Sequence, residues 1–290
     1  MADTTDDDLR VACVQFAPDF GDVVGNVARS VALIARAADA GARIVVLPEL
    51  ANTGYVFRSR AEAFALSEPV PDGPTAAAWA AIARDRGLIV VAGIAERAGD
   101  RLFNSAVLLG PDGPLGVYRK LHLWAEENLW FEPGDLGVPV FDTPHGRLSV
   151  AICYDGWFPE VFRLAAMQGA DLMCVPTNWV PIPGQAPDRP PMATILHMAA
   201  AHSNSMAIAC ADRVGVERGQ PFIGHSLILS HTGWPLAGPA SGADEELVIA
   251  SVDLSAARRA RAWNAFNHPL RDRRTDLYAG DLGANIRGRR

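Results

Sequence analysis

The chain has 290 residues, 49% of them hydrophobic and 20% charged, with a formal net charge of -7 at pH 7. This is the composition of an ordinary globular protein, long enough to bury its core without disulfide staples. The acidic balance argues against general affinity for nucleic acid phosphates, which needs a basic face. No apolar run approaches the roughly 18 residues of a membrane span.

The N-terminus, MADTTDDDLR, lacks the apolar stretch of a signal peptide. Residues 10–17, RVACVQFA, read as a strand. In 26–42, Val27, Val31, Ile34 and Ala38 recur at helical spacing, and Gly41 can end the helix. RIVVLPEL (43–50) reads as a buried strand stopped at Pro48. Residues 73–86 read as a helix with Pro74 in its first turn. Three strands follow, at 88–96, 103–110 and 116–123, with the turn GPDGP (110–114) closing the last two into a hairpin.

The order then starts again. RLSVAICYD (147–155) reads as a strand, 160–170 as a helix, and DLMCVPTNW (171–179) as a strand that also stops at a proline. A helix at 192–204 and strands at 206–212, 223–230 and 247–253 complete it. VPIPGQAPDRPP (180–191) is too proline-rich for either element and reads as a surface loop. RVACVQF…IVVLPE in the first half matches RLSVAICYD…LMCVPTN in the second. This internal duplication predicts two similar halves packed sheet to sheet with helices outside. No linker-like break divides the chain, so 1–290 reads as one domain. Its core is about 10–255 and its C-terminal tail 256–290. The last stretch, after Asp281, is polar and reads as mobile or oligomer-bound.

Of the four cysteines, Cys13, Cys174 and Cys210 lie in apolar strand-like runs and are explained as buried small hydrophobes. None forms a CxxC pair, and the pattern fits a reducing compartment, with the cytoplasm as the default. Cys153 differs. It ends its strand and is followed by Asp155, Gly156 and a helix starting near Pro159. There the helix dipole can favour a thiolate, and free N–H groups can hold an oxyanion. A fourth core cysteine is the plainer alternative. Glu49 follows an apolar strand and is either a surface charge or, facing a cleft, a general base. Lys120 is either a solvated lysine or, beside a nucleophile, an oxyanion holder. Glu127 sits in an acidic, aromatic stretch with Glu126, Glu132, Trp124 and Trp130. It is either an exposed loop residue or a second carboxylate positioning Lys120. His122, His197, His202, His225 and His231 all remain candidates for a Cys–His partner. His197 and His202 are off the spacing of a helical zinc pair, and no glycine-rich phosphate loop occurs. No metal and no cofactor are therefore expected.

Together, LPELANTGY (47–55), YRKLHLW (118–124), ENLWFEPGD (127–135) and AICYDGWFPE (151–160) resemble the nitrilase superfamily of carbon–nitrogen hydrolases. The likeness runs in the right order over about residues 10–255. It implies an α/β fold, a four-layer α-β-β-α sandwich, with a Glu49–Lys120–Cys153 triad and Glu127 as the second glutamate. It also implies an oxyanion held by Lys120 and the N–H of Tyr154, no cofactor, and a homodimer or larger homo-oligomer formed through the helix after the nucleophile. Tyr154-Asp155 departs from the Trp-Glu that usually follows the cysteine of true nitrilases. Gly156 and Trp157 stand near where enzymes of α-carboxylate substrates carry arginines. A small primary amide is therefore the leading substrate. Ureido compounds of the N-carbamoylputrescine type come next and nitriles third, while an N-acyltransferase or a non-catalytic binding protein is less favoured. Tyr55, Trp157, Asn178 and Trp179, nearest the matched motifs, are the substrate-binding candidates, which makes the pocket mostly apolar.

Overall fold

The computed structural model describes residues 9–186 and 189–278. In chain order the first half holds β1 (Arg10–Gln15), α1 (Val23–Asp39), β2 (Ile44–Val46), α2 (Arg60–Leu66), α3 (Pro74–Arg86), β3 (Ile89–Ala98), β4 (Arg101–Gly110), β5 (Gly113–Arg119) and the single turn α4 (Glu127–Trp130). The second half holds β6 (Val140–Thr143), β7 (Gly146–Val150), α5 (Pro159–Met167), β8 (Leu172–Pro176), α6 (Met192–Asn204), β9 (Ala207–Ala211), the small hairpin β10 (Val216–Glu217) and β11 (Gln220–Pro221), β12 (Leu227–Leu229) and β13 (Pro235–Ala237). β14 (Glu246–Ser251), α7 (Leu254–Arg259) and α8 (Thr275–Tyr278) follow. The tail after Asp281 lies outside the described residues, as do 187 and 188 of the proline-rich loop.

One sheet has the order β14-β1-β2-β3-β4-β5 and the other β13-β12-β9-β8-β7-β6. The strand directions match across the two sheets, although the outer strand beside β1 comes from the end of the chain and the one beside β7 directly precedes it. β1, β2 and β3 run parallel, as do β7, β8 and β9, and an antiparallel pair continues each set, β4-β5 in one and β12-β13 in the other. Each sheet also gains an antiparallel strand beside its first, β14 on β1 and β6 on β7. The internal duplication is thus a repeat of strand directions.

The two-residue alternation of a strand decides what each face meets. Val11 and Cys13, Ile44 and Val46, and Ile89 and Val91 share one apolar cluster with Leu148, Val150, Leu172 and Cys174 of the second sheet. Ala12, Val14, Val45, Leu47, Val90 and Ala92, one residue out of phase, pack instead with Ile34 of α1 and with Trp79 and Ala83 of α3. On the far side, Val161, Phe162 and Ala165 of α5 and Ala193 and Ala201 of α6 close the core. Helix, sheet, sheet and helix therefore follow one another, and the expected α-β-β-α sandwich is the fold found.

Several expected boundaries move, among them the strand read over 43–50, which is Ile44–Val46, and that read over 116–123, which is Gly113–Arg119. The strand read over 147–155 stops at Val150, and Cys153–Trp157 form a turn of 3-10 helix. The strand read over 223–230 is only Leu227–Leu229, because Gly224 and His225 both take left-handed backbone angles, φ 65° and 66°.

Candidate active site

In open sheets of parallel strands, functional groups gather beyond the carboxyl ends of the strands. Glu49 lies three residues past β2, Cys153 three past β7, and Thr177 and Asn178 directly past β8. Lys120 follows the last residue of β5. Strand β3 passes so close to Glu49 that a Cβ on Gly93 would lie 2.4 Å from the Glu49 Cα. Only glycine permits that approach.

The three charged candidates come together. Lys120 Nζ donates to Glu49 Oε1 at 2.7 Å and to Glu127 Oε1 at 2.7 Å. Lys120 and Glu49 are fully buried and Glu127 almost so. Asn104, on β4, donates from Nδ2 to the same Glu49 oxygen at 2.7 Å, while its carbonyl accepts from the Lys120 N–H at 2.8 Å. The Tyr55 hydroxyl donates to Glu127 Oε1 at 2.5 Å. One oxygen of each glutamate is thus saturated, and Oε2 of each is buried without a protein partner.

Burial raises the Glu49 carboxyl to about 7, against the opposing pull of Lys120. Burial pushes the Lys120 ammonium down, but Glu127 and Glu49 outweigh it and leave it above its ordinary value. Lys120 therefore stays charged, and Glu49 titrates where a base is useful at neutral pH.

Cys153 has φ 45°, a left-handed angle that strains a residue with a side chain and turns it out of the strand line. The turn is pinned by the buried Asp155. Its Oδ2 accepts from the Ile152 N–H at 2.9 Å and the Tyr118 hydroxyl at 2.6 Å. Its Oδ1 accepts from the His122 N–H at 3.0 Å. Burial, then the Glu49 charge, push the Cys153 thiol well above its usual range, while Lys120 and a hydrogen bond with Thr177 pull the other way. α5 begins at Pro159, where the sequence placed it, but burial outweighs whatever its end offers a thiolate. The other thiols are also raised by burial and are fully enclosed.

Cys153 opens on a small pocket that it shares with Trp124, Tyr154, Trp157, Asn178 and Trp179. Trp124 and Val180 also wall a neighbouring cavity of about 390 Å³ that contains Tyr55, Glu126, Glu127, Trp130 and Arg218. Of the substrate-binding candidates, Trp157, Asn178 and Trp179 thus stand at the thiol, and Tyr55 next door on Glu127. Asn178 also braces the site, donating from Nδ2 to the Glu49 carbonyl at 2.9 Å. Tyr154 directly follows the thiol, its ring edge-on to Trp124.

Of the histidines, His197 is buried, hydrogen-bonded through Nδ1 to the Ala193 carbonyl, and lowered by burial to about 4. His122 is tied to Asp155 and stacked on Phe158. Sequence reasoning missed Asn104, Thr177 and Glu217. The last accepts from the N–H groups of Tyr55 and Val56 at 2.8 and 2.5 Å and pairs with the buried Arg213. Their signal was faint, a polar residue inside or just beyond an apolar run. Among the described residues, no group of three or more His, Cys, Asp or Glu could hold a metal ion. No helix among them is long and apolar enough to cross a membrane.

The layers and this cluster at the strand ends place the protein among the α-β-β-α sandwich hydrolases. It belongs to the carbon-nitrogen hydrolase family, whose model matches residues 10–262. It is 42% identical over 270 residues to a nitrilase of Pyrococcus abyssi, a match covering 93% of this chain and 99% of that one. It is 33% identical over 291 residues to the N-carbamoylputrescine amidase of Solanum lycopersicum, covering 93% of each. Its fold superposes on the crystal structure of an amidase from Nesterenkonia sp. with a TM-score of 0.76 at 28% identity, covering 94% of this chain and 96% of that one.

Proposed function

We propose that this carbon–nitrogen hydrolase cleaves a small primary amide to a carboxylic acid and ammonia, with Cys153 as nucleophile, Glu49 as base, Lys120 as cation and Glu127 as positioning carboxylate. The observation that carries this reading is the Lys120 ammonium, buried between Glu49 and Glu127, whose charge acts on the thiol of Cys153. A buried ammonium needs strong compensation, and two carboxylates supply it where negative charge develops during acyl transfer.

In the reaction, Glu49 takes the Cys153 proton as Sγ attacks the carbonyl carbon. The thiol is raised and the carboxylate sits near 7, so the proton moves with the attack rather than before it. Lys120 and the Tyr154 N–H stabilise the oxyanion. The C–N bond then breaks, and the amine leaves as ammonia with the proton held by Glu49. Water attacks the thioester, Glu49 takes its proton, and the acid departs as the thiol is restored. Trp157, Asn178 and Trp179 line the reacting end of the substrate, and Tyr55 holds Glu127.

A ureido substrate is the second reading. It is favoured by the Cys153-Tyr154-Asp155-Gly156-Trp157 run, which resembles that of N-carbamoylputrescine amidases, and by the relative of that name. A buried cluster that spans both sheets supports a single domain. Four free cysteines support a reducing, cytoplasmic setting. Exposed Leu164 and Met167 on α5 support a contact between copies of the chain.

The test is ammonia release from matched amides, ureido compounds and nitriles, with Cys153→Ala as blank. Release from the amides, lost in the variant, is expected. Release from ureido compounds alone moves the enzyme to that branch, and activity retained by Cys153→Ala overturns the mechanism.

A further inference from the structure

The cavity beside Glu127 is larger than the pocket at Cys153, and the two share Trp124 and Val180 as walls. The two cavities therefore adjoin at these side chains. Four of the larger cavity's lining residues are aromatic: Tyr55, Phe57, Trp124 and Trp130.

Its charges do not balance. The positive residue in the lining is Arg218, and its guanidinium is already committed. It donates to Glu62 Oε1 and Oε2 at 2.8 and 2.9 Å and to the Val56 carbonyl at 3.1 Å, and it lies 3.7 Å over the Phe20 ring. Glu127 is answered by Lys120, but Lys120 also answers Glu49, so one ammonium serves two carboxylates. Glu126 is exposed, and its carboxylate has neither hydrogen bond nor ion pair among the described residues. The chamber therefore carries negative charge against aromatic faces, the combination that holds an organic cation.

We propose that this chamber is the subsite for the far end of the substrate, and that Glu126 makes it select chains ending in an alkylammonium or guanidinium over neutral chains and over carboxylates. The inference rests on the hydrolase reading of Cys153 and names the substrate class for that same site. It also gives a physical ground for disfavouring carboxylate-bearing substrates, since a second anion beside Glu126 and the shared ammonium is repelled.

The experiment compares kcat/KM for hexanamide, 6-aminohexanamide and adipic acid monoamide, with the matching ureas alongside. It uses the wild type, Glu126→Gln and Glu126→Lys. The readout is the ratio of cationic to neutral substrate within each protein. An exposed charge pair and a cation on an aromatic face each contribute about two- to fivefold. The wild-type ratio is therefore expected at about fivefold or more, with the monoacid slower than the neutral amide. The ratio should fall towards one in Glu126→Gln and in about 0.5 M salt, and below one in Glu126→Lys. Turnover of the neutral amide with no preference for the cation, or a ratio unchanged in Glu126→Gln, overturns the subsite and leaves the hydrolase reading standing. No Cys153-dependent turnover of any compound in the panel overturns both.

Discussion

Replacing Lys120 with methionine keeps the length and apolar stem of the side chain and removes the ammonium that Glu49 and Glu127 share. Both carboxylates then lie buried without a cation. Breaking a buried pair in this way costs about 3–5 kcal/mol. The loss depends on pH, because a carboxylate escapes it by taking up a proton. In the wild type Glu49 titrates near 7, against about 4.3 in an unfolded chain. Between those values the folded state holds a proton that the unfolded state has released. Stability therefore falls as pH rises, by up to roughly 1.4 kcal/mol per unit, and this fall ends above about 7. Without Lys120 the folded pKa moves higher and the fall continues. Lys120→Met is thus expected to lose roughly 1 kcal/mol more than wild type between pH 7 and 8, since the wild type, half protonated at 7, still loses a little. Urea unfolding at pH 6, 7 and 8 measures this, provided the m-value is unchanged. A destabilisation equal at all three pH values would refute the idea that the ammonium compensates buried carboxylates.

Two further predictions concern the reaction and the nucleophile's turn. If Glu49 must be ionised to accept the thiol proton, kcat/KM rises with pH and levels off above about 7; a flat profile from about pH 5.5 to 8 contradicts its role as base. Alanine at Gly156 would bring a Cβ to 2.5 Å from His197 Cε1, and that ring is confined by Phe162 and Trp179. Gly156→Ala should therefore lose about 1–3 kcal/mol of stability and lower kcat by moving Cys153; an unchanged Tm with unchanged kcat would show that the contact does not hold the turn.

The layers were legible because hydrophobic alternation is local. Val45 and Val46 face opposite sides of one strand, and their neighbours in sequence suffice to show it. Cys153, Glu49 and Lys120 were legible as residues at element ends. What escaped was set by distant partners. The strand through Cys153 stops early because Asp155 captures the Ile152 N–H while it also holds Tyr118, 37 residues away. Asn104 reads as one polar residue in an apolar strand, and its purpose appears only when Glu49, 55 residues earlier, reaches its amide. Glu217 serves Tyr55 across 162 residues of chain. β6 and β13 are short and flanked by prolines, so their strand signal is weak.

The most direct test of the central claim is peptide-resolved mass spectrometry of enzyme quenched with acid during turnover of an amide substrate. The account predicts an acyl adduct on Cys153, with Cys13, Cys174 and Cys210 unmodified, since those three are fully buried. It also predicts that the adduct decays as substrate is exhausted. Full turnover with no acyl group on Cys153 at any time, or undiminished turnover by Cys153→Ala, would contradict it.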